Sequence, residues 1–373
     1  MGLARDGATK ASPTTKKVRR PRRPKTIKLG SDFTGLDPAA VALRRMGVPF
    51  QIVFASDVAK PCQKVIQHVH KPAKLFTDIT KRTPDEEEES DVYTWTPPCQ
   101  DISQNGLRQG VNGPKQTGLL IKKSMQYIKA KKPRVTIFEN VFTMTHKKLK
   151  PVLDGIIKAL KNIGYTVNWN VLDSRDYGLP QDRRRVFVVA IRTDAIKHPF
   201  AWPQVTKPCP GVNTILDPWK PTDRAGRLPT VERQKVACTP AYKACFDYGR
   251  DPRSTPILVD IDASPKFATY GIDEAKTITR SRGGDGGPWI STRGRRTTPN
   301  ELIKLQGFEL ADVPWQTLKI SERQVGQLIG NAVSVNTMGS ILEEALWSSG
   351  LVEKKVPFPR GVKHPPGPPP QAP

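Results

Sequence analysis

A cysteine at the mouth of a polar loop is the first residue whose type and setting could do chemistry. Cys99 lies in the stretch TPPCQDISQNGLRQG, residues 96–110, directly after the apolar, β-favouring residues 92–95. Open α/β sheets bind ligands just beyond the carboxyl ends of their strands, which is where this thiol is expected. A free thiol has a pKa of about 8.5 and becomes a good nucleophile when its neighbours favour the thiolate. Cys99 is therefore a candidate nucleophile, and the alternative is an ordinary packed loop cysteine.

A glycine turn and two carboxylates follow the first three predicted strands. Gly35 lies in the turn after the first strand, Asp57 follows the second, and Asp78 lies at the end of the third. A carboxylate about twenty residues beyond such a turn is where open α/β sheets hydrogen-bond a ribose. The dinucleotide fingerprint GxGxxG is missing from this turn, which disfavours a nicotinamide cofactor. The pattern predicts a site for another nucleotide-like ligand, with Asp78 within reach of an adenine.

Strand-like and helical segments alternate through the first half of the chain. Strands are predicted at 26–32, 50–56, 74–79, 91–95, 135–139, 165–172 and 185–192. Helices are predicted at 38–46, 60–69, 116–131 and 148–162, and again at 299–306 and 335–348. This alternation is typical of a doubly wound, mostly parallel α/β sheet, which is the fold class we predict.

Composition divides the chain into five segments. They are a basic tail at 1–25, the alternating domain at 26–192, a second domain at 193–297, a segment at 298–350 that returns to the first domain, and a Pro-rich tail at 351–373. Neither tail can bury a core, so both are expected to be disordered. The second domain is rich in Pro, Gly, Thr and Arg, so we expect an irregular fold with a strand near 257–261 and little helix. The acidic run DEEEE at 85–89 is expected to be a solvated loop.

The net charge of +25 indicates a polyanionic partner. Residues 1–28 hold ten basic residues and one acidic residue, an excess of nine charges, so sixteen remain on the rest of the chain. A basic field of that size favours nucleic acid, because phosphate contacts release counterions. The five cysteines are scattered and odd in number, which argues against a disulfide framework. We expect no metal site, and no apolar run approaches the roughly 18 residues of a membrane helix.

Motifs in order across residues 29–346 resemble those of the cytosine-5 DNA methyltransferase family. They are Phe33-Thr-Gly, Asp57, Asp78, Pro98-Cys99-Gln100, Glu139-Asn140-Val141, Gln181-Asp-Arg183-Arg-Arg185, Arg295 through Phe308, and Gly330-Asn331-Ala332-Val333. Residues 193–276 lie outside the resemblance. It implies a Rossmann-like methyltransferase domain that uses S-adenosylmethionine, a target-recognition domain at 193–297, and methyl transfer to carbon 5 of cytosine in double-stranded DNA.

The resemblance implies roles for the catalytic candidates. Cys99 matches the nucleophile, which adds to carbon 6 of an extruded cytosine so that carbon 5 becomes nucleophilic. Glu139 matches the residue that binds ring nitrogen 3 and the amine, where hydrogen bonding or protonation assists the addition. Arg185 matches the residue that meets the carbonyl oxygen. Arg183 is a further catalytic candidate, which together with Gln181 organises the site.

The resemblance also implies two sets of binding residues. The cofactor set is Phe33, Gly35, Asp57, Asp78, Ile79, Pro98, Leu119, Asn331 and Val333. The substrate set is Gln100, Ser103, Gln181, Thr277 and Arg280. The loop 100–110 is expected to close over the extruded base, with Gly106 and Gly110 as hinges.

Two stretches depart from the family pattern. Asp37-Pro38 stands where the family usually has a second glycine pair, and Thr96-Pro97 stands where it commonly has Gly-Phe. Neither departure removes a catalytic group.

Other functions are weighed against this one. A zinc nucleobase deaminase needs PCxxC and HxE, whereas this chain has Ile102 at the second cysteine position and no HxE. A non-catalytic DNA-binding relative would not need Cys99 and Glu139. Cytosine-5 methylation of RNA on the same scaffold stays open, although the Cys-Phe-Thr segment typical of the tRNA branch is missing.

The basic residues at 16–25 resemble a nuclear localisation signal and equally a nonspecific DNA arm. We therefore predict a nuclear protein, or a cytoplasmic one if the source is prokaryotic. A monomer is expected.

Overall fold

Seven strands form the large sheet of this computed structural model, which describes residues 26–98, 117–206 and 208–359. The strands are β1 (Ile27–Asp32), β2 (Phe50–Ser56), β3 (Leu75–Phe76), β4 (Val92–Trp95), β5 (Val135–Val141), β6 (Tyr165–Asp173) and β8 (Arg184–Arg192), with the short β7 (Gln181–Asp182) outside the sheet. Their order is β3-β2-β1-β4-β5-β8-β6. The first five strands pair in parallel, and β8 runs antiparallel to both β5 and β6. The predicted doubly wound, mostly parallel sheet is confirmed.

The helices of the described residues are α1 (Pro38–Arg45), α2 (Lys60–Val65), α3 (Thr117–Lys131), α4 (Lys150–Asn162), α5 (Glu232–Asp247), α6 (Arg280–Gly284), α7 (Pro299–Leu305), α8 (Glu322–Asn331) and α9 (Val335–Ser348). Several of them cover the two faces of the large sheet. On one face, α1 packs against α9 over Leu29 and Ile137. On the other face, α3 and α4 bury their apolar residues against Phe54 and Phe138. None of the helices in the described ranges is long and apolar enough to cross a membrane.

A smaller antiparallel sheet lies within residues 193–297. Its strands β9 (Ile257–Val259), β10 (Tyr270–Ile272), β12 (Trp289–Ile290) and β13 (Arg295–Arg296) are ordered β10-β9-β12-β13, while β11 (Ala275–Lys276) pairs with β7. Helix α5 packs Cys238 and Cys245 against β9. The expectation of little helix here is wrong for this 16-residue helix. The sequence hides it because Pro240 lies inside it, where proline usually ends a helix.

The acidic run 85–89 is not simply solvated. Glu87 is buried, and the Arg82 Nε lies 2.6 Å from a Glu87 carboxylate oxygen. The same guanidinium reaches Asp32 at the end of β1, 2.5 Å away. Burial raises the pKa of Glu87 to about 7, and the Arg82 charge acts in the opposite direction. The expectation is therefore wrong for Glu87, because Arg82 gives its carboxylate a partner inside the protein.

Candidate active site

A cavity of about 760 Å³ opens at the carboxyl edge of the large sheet, beyond β1, β2, β4 and β5. Its walls contain eight of the residues expected to bind the cofactor, namely Phe33, Gly35, Asp57, Asp78, Ile79, Pro98, Asn331 and Val333. They also contain Glu139, Arg183, Arg185 and Arg280. Residues from the two ends of the chain thus meet in one site.

Asp57 is fixed by backbone N–H groups at the end of β2. The Gly35 amide donates to Asp57 Oδ2 at 2.8 Å, and the Ala59 amide donates to Oδ1 at 2.8 Å. Burial raises the pKa of this carboxyl, while the two amides act in the opposite direction. Because each carboxylate oxygen can accept two hydrogen bonds, Asp57 keeps acceptor capacity for a ligand hydroxyl.

Asp78 is a second acceptor on the cavity wall. The Thr80 hydroxyl and amide donate to Asp78 Oδ1 at 2.7 and 2.9 Å. The hydroxyl hydrogen bond is the main cause that holds the pKa of Asp78 below its usual range. Asp78 is therefore ionised at neutral pH and suited to accept a hydrogen bond from an amine.

The turn that departs from the family pattern keeps a glycine-like backbone. Asp37 has φ 48°, in the left-handed region, which Asp and Asn adopt more readily than most residues. Its carboxylate accepts a hydrogen bond from the Ala40 amide at 3.0 Å and caps α1. Asp37 thus makes the turn that a glycine would make, and it caps the helix as well.

The segment that leads to Cys99 is held by three side chains. Thr96 donates to the Phe33 carbonyl at 3.1 Å. The Pro97 carbonyl accepts from Asn140 at 3.0 Å, and the Pro98 carbonyl accepts from Thr117 at 3.3 Å. Cys99, Gln100, Ser103 and the loop 100–110 lie outside the described residues.

Glu139 and Arg185 form an ion pair in the cavity. Adjacent strands β5 and β8 present them on the same face, and Arg185 Nε lies 3.3 Å from Glu139 Oε1. Burial raises the pKa of Glu139, and the charges of Arg185 and Arg183 act against that shift. A carboxyl with a raised pKa holds its proton more readily than a free carboxyl does, which suits it to hydrogen-bond or protonate a ring nitrogen.

Arg183 lies in the cavity wall, and its hydrogen bonds suit the organising role expected of it, while its catalytic role stays a prediction. Its guanidinium is buried and donates to the carbonyls of Ile278, Gly330 and Ala332 at 2.9, 3.1 and 2.7 Å. These carbonyls come from the turn before α6, from the last turn of α8 and from the residue that follows α8. Arg183 therefore ties these segments together at the cavity.

Two further expectations need correction. The expected substrate contact of Gln181 is wrong, because Gln181 is fully buried and donates to the Leu305 carbonyl at 3.0 Å. Thr277 lies outside the cavity and its hydroxyl donates to the Asp182 carbonyl at 2.7 Å, so its contact with substrate stays a prediction. Leu119 is 40% exposed, whereas the next residue on α3, Leu120, lines the cavity. The rotation of α3 about its axis decides which of these two leucines faces the cavity, and spacing along the sequence does not fix that rotation.

Sequence reasoning missed one wall of the cavity, formed by Cys62 on α2 and by Gln324 and Gln327 on α8. Helix α8 was not predicted. A signal for it exists, because Ser321 and Gln324 form a capping box at its start.

Helices α6 and α8 touch through glycine backbones. A Cβ atom at Gly326 would lie 1.8 Å from the Gly283 carbonyl oxygen, and one at Gly330 would lie 2.4 Å from the Thr279 carbonyl oxygen. Only glycine permits this approach, which sets Arg280 and Asn331 against the same cavity.

Comparisons with known proteins show the family of this chain. A family model described as C-5 cytosine-specific DNA methylase matches residues 27–347. The chain is 26% identical over 302 residues to type II methyltransferase M.SsoII of Shigella sonnei, covering 79% of this chain and 74% of that protein. It is 26% identical over 316 residues to type II methyltransferase M.NlaX of Neisseria lactamica, covering 84% of this chain and 94% of that protein.

Solved structures agree on the fold. The S. pombe Dnmt2 methyltransferase superposes with a TM-score of 0.60 at 16% identity, over 86% of this chain and 98% of that one. The Entamoeba histolytica methyltransferase EhMeth superposes with a TM-score of 0.60 at 17% identity, over 86% of this chain and 98% of that one.

Proposed function

Because the chain belongs to the C-5 cytosine-specific DNA methylase family and is a DNA (cytosine-5-)-methyltransferase, we propose that Cys99, Glu139 and Arg185 carry out the reaction on an extruded cytosine. The methyl donor we propose is S-adenosylmethionine, bound in the cavity beyond β1 and β2. Extrusion is needed because carbons 5 and 6 of a stacked, paired cytosine are out of reach of such a cavity.

The chemistry of the cavity wall supports this cofactor. Asp57 has acceptor capacity left for the ribose hydroxyls, and Asp78 is an anion suited to the adenine amine. Asn331 and Val333 close the wall from the other end of the chain. When bound there, S-adenosylmethionine supplies an electrophilic methyl group.

In the proposed mechanism, each of the three residues acts on a different atom of the base. The Cys99 thiolate forms a bond to carbon 6, and the electron pair of the 5,6 double bond moves so that carbon 5 becomes nucleophilic. Glu139 donates its proton or a hydrogen bond to ring nitrogen 3, and Arg185 donates to the carbonyl oxygen. Carbon 5 would take the methyl group from the sulfonium sulfur of the donor, which would keep the electron pair of the broken bond and leave as a thioether. A base then takes the proton from carbon 5 and the double bond re-forms. The bond between the Cys99 sulfur and carbon 6 breaks to return the thiolate, and ring nitrogen 3 gives back to Glu139 any proton it received.

The observation that carries this proposal is the buried Glu139–Arg185 ion pair, 3.3 Å apart, in the same cavity as Asp57 and Asp78. An acid with a raised pKa and a fixed cation beside it can assist addition to the ring. Pro98, the residue before Cys99, also lines this cavity.

The test uses duplex DNA that carries 5-fluorocytosine at the target, once bisulfite sequencing of host DNA has identified the target sequence. Fluorine cannot leave carbon 5 as a cation, so the protein should stay attached to the DNA through denaturing electrophoresis. The adduct should require S-adenosylmethionine. Cys99→Ser should abolish it, because a hydroxyl is scarcely ionised at neutral pH. Glu139→Gln should slow its formation roughly 100-fold.

Cys209→Ser is the matched control, since Cys209 lies outside the cavity and its thiol donates to the Leu179 carbonyl. It should form the adduct as the wild type does. An adduct in Cys99→Ser, or none in the wild type with cofactor and target present, would refute the mechanism. Fluorinated RNA of the same sequence tests the RNA alternative, and an adduct confined to RNA would contradict DNA as the substrate.

The remaining segments have proposed roles as well. Residues 193–297 are proposed to read the target sequence, and exchanging them for those of a relative should change the sequence methylated. The basic residues 16–25, which lie outside the described residues, are proposed to act as a nonspecific DNA arm. The two relatives named above come from bacteria, so the nuclear prediction finds no support in them. We propose action in the cytoplasm instead.

A further inference from the structure

The middle arginine of the sequence QDRRR, residues 181–185, is not used by the site described above. Side chains alternate along β8, so Arg184, its first residue, lies on the opposite face of the sheet from Arg185, which lines the cavity together with Arg183. The Arg184 side chain is exposed. Its guanidinium carbon lies 4.6 Å from the centroid of the Phe142 ring, a cation–π contact. Arg184 is thus held in a defined place at the carboxyl edge of the sheet.

The segment after β5 brings further positive charge to the same place. Residues 142–150, FTMTHKKLK, contain three lysines, one histidine and no acid. The Phe142 ring contacts His146 edge to face, with centroids 5.3 Å apart. We call Phe142, His146, Lys147 and Arg184 the basic ridge. Among the described residues, no carboxylate lies within salt-bridge distance of Lys147 or Arg184.

The basic ridge and the recognition segment lie on different sides of Glu139. Two residues of chain separate Phe142 of the ridge from Glu139, and Arg184 of the ridge directly precedes Arg185. On the other face, Arg183 holds the carbonyl of Ile278, and β11 pairs with β7. A duplex with a base extruded to Glu139 would therefore run between the recognition segment and the ridge.

We propose that the basic ridge binds the sugar–phosphate backbone of the duplex that flanks the target cytosine. This inference rests on the proposed function, since it assumes that a base extruded from duplex DNA reaches Glu139. Duplex DNA carries one negative charge per about 1.7 Å of helix axis, so phosphates lie on either side of any extruded base. Lys147 and Arg184, which have no carboxylate partner among the described residues, complement that charge next to the site. Such contacts position the duplex and do not read its sequence.

The experiment compares two double variants that each remove two exposed positive charges. Arg184→Ala with Lys147→Ala alters the ridge. Lys158→Ala with Lys161→Ala is the matched control, because both lysines lie near the end of α4 at the opposite edge of the sheet. Fluorescence anisotropy measures the affinity of each full-length protein for a duplex that extends well beyond the target on both sides. The salt concentration is varied from about 50 to about 200 mM.

Each lost phosphate contact lowers the slope of log affinity against log salt by about 0.9, so the ridge variant should lose about 1.8 from its slope. From about 50 to about 200 mM salt, the affinity of both proteins falls, and the factor by which it falls should be roughly ten times smaller for the ridge variant than for the wild type. The control variant should keep the wild-type slope. A charge-preserving variant, Arg184→Lys with Lys147→Arg, should restore the slope. The ratio of affinities for target and scrambled duplexes should be the same in all proteins.

Equal slopes in the ridge and control variants would overturn the proposal. The second test uses a duplex that ends at the target base pair and so has no phosphates beyond it for the ridge to bind. If the ridge variant and the wild type still differ in slope on that duplex, the proposal is also overturned. A slope difference that appears only with RNA would assign the ridge to a different partner. Adduct formation on fluorinated DNA is scored separately. Its absence in the wild type refutes the proposed function, whereas an adduct together with equal slopes refutes the ridge alone.

Discussion

Replacing Arg183 by methionine tests whether one buried guanidinium holds residues 193–297, the proposed recognition segment, and the wall of the proposed cofactor site together. Methionine fills the space of the arginine stem but donates nothing to the three carbonyls that Arg183 reaches at 2.7 to 3.1 Å. A hydrogen bond from a charged donor contributes about 1.5–3 kcal/mol, and these three share one donor, so their losses do not simply add. A buried carbonyl left without a donor costs about 1–3 kcal/mol, and three are left here, so we expect a loss of about 3–5 kcal/mol.

Urea denaturation and thermal melting measure that loss. At about 2–4 °C per kcal/mol, the midpoint should fall by on the order of 10 °C. Arg184→Met is the matched control, because Arg184 is exposed and the variant loses only a cation–π contact with Phe142, so its free energy of unfolding should fall by no more than about 1 kcal/mol. Calorimetry should also show weaker S-adenosylmethionine binding in Arg183→Met, because the carbonyls of Gly330 and Ala332 flank Asn331 in the cavity wall. A variant with the stability and cofactor affinity of the control would refute this reasoning.

Three other predictions concern the same site. Burial raises the pKa of Glu139, so the folded protein holds this proton more tightly than the unfolded chain, and the stability that this gives is lost as pH rises through the raised pKa. Glu139→Gln cannot ionise, so its free energy of unfolding relative to the wild type should increase from acid to neutral pH; urea titrations at several pH values that run parallel would contradict this. Asp57→Ala should weaken S-adenosylmethionine binding by roughly 1–3 kcal/mol by calorimetry, because a ribose hydroxyl loses its acceptor, and unchanged affinity would remove Asp57 from the cofactor site. Gly326→Ala places a Cβ atom 1.8 Å from the Gly283 carbonyl oxygen, so it should destabilise the protein by at least about 1–3 kcal/mol in urea denaturation, whereas Gly155→Ala, with nothing within 4 Å of its Cβ, should not.

Strand ends were predictable from the sequence because two rules act together. Buried parallel strands are short apolar runs, and the polar residue that follows each run must lie at the sheet's carboxyl edge. Asp57, Asp78 and Glu139 follow from those rules, and the structure places all three in the walls of one cavity. The order of motifs along the chain was sufficient to indicate the family.

Helices that break local rules were not predictable. Helix α5 continues through Pro240, because its buried residues Cys238 and Cys245 pack on β9, and this tertiary packing offsets the missing backbone hydrogen bond. Nothing within the helix itself carries that information.

The sequence by itself determined the fold class, the strand-end carboxylates and the identity of the acid and arginine that face each other in the cavity. The tertiary structure decided which side chains reach the cavity and which serve behind it. Gln181, Arg183 and Arg185 belong to one motif, yet Gln181 is buried against Leu305, Arg183 holds three carbonyls, and Arg185 pairs with Glu139. Spacing along the chain cannot separate these roles, because each depends on which distant backbone carbonyl or carboxylate the folded chain brings within hydrogen-bonding distance.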